Sequence, residues 1–263
     1  MNIKEFMGVG EHEKPLDRLV TDGGFCAIFR TIACIGDSLS SGEFESTKED
    51  GTHGYHDYYE YSWGQFIGRS CGSKVYNFSR GGMTAEYYVE SFAEPNGFWD
   101  TDKLCQAYII ALGVNDIINQ GKELGCIDDI HKDDYTKNKK TFAGYYAQII
   151  QRIKTMQPRA KFFLVTMPQG NDAKDEKRLA VRNLLAEMTE YFDRTYLIDL
   201  YTYAPVNDEA YKKVFRLGHL TPAGYILSAK MIESYIDYII RQNHDDFSQV
   251  GFIGTDLYYK PEV

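Results

Sequence analysis

Four short segments of this sequence carry side chains that could perform acyl-transfer chemistry. The first is Gly36-Asp37-Ser38-Leu39, where a serine directly follows an apolar run. A hydroxyl held at such a turn can act as a nucleophile once a base takes its proton. The second, Ser79-Arg80-Gly81-Gly82, pairs two glycines, which let a backbone N–H approach a developing oxyanion. The third is Gly113-Val114-Asn115-Asp116, whose Asn115 amide can donate to the same charge. The fourth is Gly218-His219-Leu220-Thr221-Pro222, with a histidine just before a helix start. Each segment alone also reads as ordinary turn or capping chemistry. Their order and their common placement after apolar runs carry the reading. The serine block is not a G-x-S-x-G nucleophile elbow, because position 40 is Ser.

The elements that must hold these segments are legible as alternation. Residues 31–36, 73–78, 106–112, 160–166 and 195–200 are short apolar runs without a polar face, as expected of parallel strands buried on both sides. Helical spacing of apolar residues fills 138–157, ending at Pro158, then 174–191, and 221–241. Thr221 is placed to cap the last helix, with Pro222 at its first position. Strands alternating with helices predict an open parallel α/β sheet whose ligands bind beyond the carboxyl ends of the strands. All four chemical segments fall there. Residues 41–60 are polar and Tyr/His-rich and read as a long loop over the site.

At this point the chain resembles the SGNH (GDSL-type) hydrolase superfamily. Its serine matches Ser38, its glycine Gly82 (with Gly81 as the alternative), its asparagine Asn115 and its histidine His219. The resemblance runs in order from about residue 31 to 240. It implies a flavodoxin-like three-layer α/β/α sandwich of about five parallel strands and a serine ester hydrolase working through an acyl-enzyme. Ser38 and His219 would be catalytic, and the Ser38 and Gly82 N–H groups with the Asn115 side chain would form the oxyanion hole. One departure stands out: the superfamily usually has an Asp three residues before the His, and here that residue is Arg216. An arginine there would disfavour the imidazolium. The expectation is that a main-chain carbonyl orients His219, with Asp208 or Glu209 as carboxylate alternatives. Asp208→Asn and Glu209→Gln are accordingly each expected to keep most activity.

The remaining features bound the function. The 263 residues are 43% hydrophobic and 25% charged, as in a soluble globular chain. They are read as one hydrolase domain, with an N-terminal extension (about 1–27) and a C-terminal tail (about 243–263) that packs on the body or on a second subunit. A formal net charge of −9 with no basic run argues against nucleic acid. Five widely spaced cysteines without a CxxC fit a reducing compartment, and no signal peptide or membrane span is read; the expected location is the cytoplasm. No cofactor is expected, since there is no G-x-G-x-x-G or P-loop. His53 and His56 lack a third ligand and read as a surface pair, so no metal is expected. Tyr55, Tyr58, Tyr59, Tyr61 and Trp63 lie near the crevice, Trp63 facing inward on a helix. With the polar 41–60 segment, they favour a small-molecule ester, an acetyl-like group on a carbohydrate or other polar alcohol. The alternatives are a thioesterase or lysophospholipase of the same superfamily, and a catalytically silent sugar-binding or scaffolding domain. The sequence does not set the oligomeric state.

Overall fold

A computed structural model of the chain describes residues 2–253, 255 and 257. Five parallel strands form the central sheet: β1 (Thr31–Gly36), β4 (Lys74–Ser79), β5 (Ala107–Ala111), β6 (Lys161–Val165) and β7 (Thr195–Ile198). Their order is β4-β1-β5-β6-β7. Alternation along each strand explains why the runs lack a polar face. Ala33, Ile35, Tyr108, Ile110, Phe162 and Leu164 enter one core, and Ile32, Cys34, Ile109 and Phe163 enter the other. The first core lies under the Phe142–Met156 and Asp175–Tyr191 helices, the second under Trp63–Cys71 and Pro222–Gln242. The result is the three-layer α/β/α sandwich expected.

Most element boundaries differ from the sequence reading by a residue or two. The helix expected from 138 starts at Phe142, because the Thr141 side chain accepts from Gly144 N and so caps the chain there. Thr221 caps the last helix in the same way, through Gly224 N, with Pro222 inside.

The 41–60 segment differs in kind. Within it, β2 (Glu43–Thr47) pairs antiparallel with β3 (His53–Asp57). A second hairpin joins β8 (Arg216–Leu217) to β9 (His219–Leu220) around Gly218, whose φ is 72°.

The described parts of the N-terminal and C-terminal segments pack on the body. Arg241, buried in the last helix, donates to Glu13 (2.7 and 2.8 Å) and to Asp237 (2.8 Å). In the tail, Phe247 is buried against Phe29, Phe163 and Tyr196, and Gln106 Nε2 donates to Gly251 O at 2.5 Å. Residues 258–263 of the expected tail lie outside the described residues. No described helix is long and apolar enough to cross a membrane.

Candidate active site

The sheet register brings three of the four chemical segments level. Gly36 pairs with Ser79 on one side and with Ala111 on the other, so Ser38, Gly82 and Asn115 all follow strand ends at one edge. Ser38 opens a single helical turn, Ser38–Ser41, whose N-cap is Asp37; the Asp37 carboxylate accepts from Leu39 N at 3.0 Å. Asp37 is buried, and burial pushes its carboxyl up to about 6, with nearby Asp116 adding to the rise and His219 and Arg216 opposing it.

Gly82 has φ 73°, in the left-handed region, while a Cβ there would meet nothing; its glycine serves the turn's conformation rather than its space. Gly81 is different, since a Cβ on it would collide with the Glu43 carboxylate. Asn115 reaches back to this turn, its Nδ2 donating to Met83 O at 3.1 Å and its Oδ1 accepting from Asn119 at 2.9 Å. An amide nitrogen carries two donors, so one remains for a ligand. Behind it, Asp116 Oδ1 accepts from Ala85 N at 2.9 Å, tying the third segment to the second. Asp116 Oδ2 is buried without a hydrogen-bond partner among the described residues, and burial pushes this carboxyl up to about 6.

His219 stands on β9, beside the Ser38 turn and next to β2. Its ring lies between two carboxylates: Glu45 Oε1 is 2.6 Å from Nδ1 and Glu43 Oε1 is 3.1 Å from Nε2. The period of a strand explains the pair. Glu43 and Glu45 are two apart on β2 and share a face, while Phe44 between them packs on Tyr225, Tyr58 and Tyr61. Burial raises the Glu43 carboxyl above its ordinary range, with the His219 charge opposing. Among the described residues no hydrogen bond joins Ser38 Oγ to His219; Glu43 holds the nitrogen that would face the serine.

The carboxylates named from sequence are elsewhere. Asp208 caps the Glu209–Phe215 helix through Tyr211 N at 2.8 Å, and Glu209 pairs with Lys212 at 2.8 Å. Helix-capping and i,i+3 pairing absorb them. The main-chain carbonyl nearest in sequence, Gly218 O, accepts from Arg216 Nε at 3.0 Å. Glu43 and Glu45 went unnoticed in the sequence because their segment read as a loop; the Asp50-Gly51 pair at its tip is the hairpin signal that could have revealed them.

Two cavities flank the site. One, of about 590 Å³, is walled mainly by apolar groups, among them Leu39, Val114, Ile118, Met167, Leu220 and Ile232. The other, of about 340 Å³, runs from Gly82 past Thr84, Glu86, Tyr87 and Lys122 and is polar. Tyr55 on β3 is 62% exposed and meets the His219 ring edge-on at 6.1 Å, whereas Tyr58 and Tyr61, which follow the hairpin, are exposed and pack on Phe44. Tyr59 instead turns its hydroxyl to Val75 O at 3.2 Å, and Trp63 is buried. His53 and His56 each meet a hydroxyl across the hairpin, Thr47 Oγ1 at 3.2 Å and Ser46 Oγ at 2.8 Å.

No curated protein matches the chain. Several solved structures resemble it. A family two carbohydrate esterase from Clostridium thermocellum, solved with cellohexaose, superposes with a TM-score of 0.55 at 16% identity over 82% of this chain and 65% of that one. The corresponding enzyme with a carbohydrate-binding domain from Corynascus thermopiles gives 0.55 at 16% over 80% and 66%. This chain thus spans about two thirds of each of those proteins. A G-D-S-L family protein from Desulfitobacterium hafniense gives 0.53 at 14% over 78% and 99%. At these identities the likeness speaks for the fold. The family itself is shown by a match to the GDSL-like Lipase/Acylhydrolase model over residues 34–227, well over half of the sequence. With the level strand ends and the Ser, Gly, Asn and His segments in place, the chain belongs to the GDSL-like lipase/acylhydrolase family and is a hydrolase of ester bonds.

Proposed function

We propose that the protein removes short acyl groups from a carbohydrate or similar polar alcohol through an acyl-enzyme on Ser38. Ser38 Oγ attacks the acyl carbon, and His219 Nε2 takes its proton and returns it to the leaving alcohol. The N–H groups of Ser38 and Gly82 and the free Asn115 Nδ2 donor hold the oxyanion, each such donor being worth about 2.7–4 kcal/mol in the barrier. Water then cleaves the acyl-enzyme with His219 again as base. For this, His219 Nε2 exchanges Glu43 for Ser38 when substrate binds; catalytic hydrogen bonds commonly tighten only in the complex.

The observation that carries the reading is the convergence of Ser38, Gly82 and Asn115 at the level ends of β1, β4 and β5, beside His219. The polar cavity at Gly82 and the exposed Tyr55 ring beside His219 favour a hydroxyl-rich alcohol, because aromatic faces pack well on sugar rings. One observation favours a second reading, a thioesterase or lysophospholipase: the 590 Å³ apolar cavity beginning at Leu39 is larger than an acetyl group requires. All five cysteines are free, which suits a reducing, cytoplasmic setting.

The test compares wild type and Ser38→Ala on p-nitrophenyl esters from acetyl to octanoyl, and follows acetate release from an acetylated sugar. Turnover that disappears in the variant supports the serine mechanism. Equal activity in both proteins refutes it. A kcat/KM that rises steadily toward octanoyl replaces the short-acyl reading with the second one.

A further inference from the structure

Resting on the Ser38–His219 reading, we infer that Glu45, from the β2–β3 hairpin, is the positioning residue that fixes His219 in place of the acid that Arg216 displaces. Three observations converge on it. First, Glu45 Oε1 lies 2.6 Å from His219 Nδ1, a charge-assisted hydrogen-bond distance, with the two side chains 28% and 19% exposed. A carboxylate there keeps the proton on Nδ1 and leaves Nε2 free to act as base, and it steadies the imidazolium that forms.

Second, the neighbouring backbone makes room for it. A Cβ on Gly218 would collide with the Glu45 carboxylate, and Gly218 sits at φ 72°. The glycine before the histidine therefore serves both the tight hairpin and the close approach of the acid.

Third, β8–β9 pairing removes the ordinary alternatives. Arg216 pairs across with Leu220 and Leu217 with His219, so successive side chains put Arg216 and His219 on opposite faces. Arg216 accordingly lines the apolar cavity. An acid at 216 would point there too. The Gly218 carbonyl, the other local acceptor, is taken by Arg216 Nε.

Charged and titratable groups around the ring include Glu45 at Nδ1, Glu43 at Nε2, Tyr55 at its edge, Asp57 opposite Glu43 on β3, Asp37 capping the Ser38 turn, and Arg216 on the adjoining strand.

The test uses full-length protein labelled with ¹⁵N-histidine, as wild type, Glu45→Gln, Glu45→Asp, Glu43→Gln and the double variant Glu45→Gln/Arg216→Asp. Wild type should show a low-field Nδ1 proton assigned to His219 that is retained in Glu43→Gln and lost in Glu45→Gln. This readout needs no turnover, so it stands or falls apart from the hydrolase reading. With p-nitrophenyl acetate, Glu45→Gln should lower kcat by roughly 10²–10⁴-fold with little change in KM, following the cost of removing the acid in a serine triad. Glu45→Asp should recover part of the loss. Arg216→Asp should recover none, since it faces away. Thermal melts that match wild type exclude unfolding. The inference is overturned if the low-field proton survives Glu45→Gln, if Glu43→Gln lowers kcat more than Glu45→Gln does, or if Arg216→Asp restores the rate.

Discussion

The buried carboxylate next to Asn115 gives the sharpest stability prediction. Asp116 is 1% exposed, one oxygen accepts from Ala85 N, and the other has no hydrogen-bond partner among the described residues. Burial pushes its carboxyl up to about 6 from an ordinary 3.8. A folded-state value above the unfolded one means the folded chain binds the extra proton between about pH 4 and pH 6. Stability from this group is therefore full below about pH 4 and is lost as pH rises through about 6. At 1.36 kcal/mol per pH unit, that gap costs about 3 kcal/mol at pH 7. In Asp116→Asn the amide oxygen can still accept from Ala85 N, and nothing at that position ionises. The variant should therefore gain on wild type by about 2.4 kcal/mol between pH 4 and pH 7, measured by urea unfolding at each pH. Any constant offset from the new amide cancels in the difference. Asp37, raised in part by Asp116, adds to the gain with the same sign. A stability difference that stays flat across this range would refute the claim that Asp116 is held protonated-prone by burial.

Two further outcomes follow from the geometry. Asn115→Ala should lower kcat by about 10²–10³-fold with a small change in KM, measured by initial rates on p-nitrophenyl acetate, because it removes a donor used only as charge develops. Phe247→Ala should destabilise the fold by about 3–5 kcal/mol in denaturant unfolding, since its ring is buried among Phe29, Phe163 and Tyr196.

The sheet was legible from sequence because its strands are buried on both faces. Runs such as Ala-Tyr-Ile-Ile-Ala at 107–111 have no polar side to confuse with an amphipathic helix. The last helix was legible through its Thr-Pro start, and the Ser38 and Asn115 blocks through their place after strands. The β2–β3 hairpin was not. Glu-Phe-Glu-Ser-Thr opposite His-Gly-Tyr-His-Asp offers a single apolar residue on β2, and the rest faces water or the site. What holds that strand in place is long-range: Phe44 against Tyr225, and the Tyr225 hydroxyl donating to Glu43 O at 2.7 Å. Asp208 and Glu209 illustrate the converse. Proximity in sequence to His219 suggested a role, but a helix start claimed both side chains first.

The ring of His219 meets Glu45 across 174 positions of chain. Loop-closure entropy makes such distant pairings slow to reward during folding. No isolated half of the polypeptide contains both partners, so the pairing records the completed topology rather than any local element. In refolding from urea, helix content can return early, whereas the histidine environment becomes native only when the hairpin and the last strand pair have docked. The side-chain pair is thus a built-in reporter of global assembly.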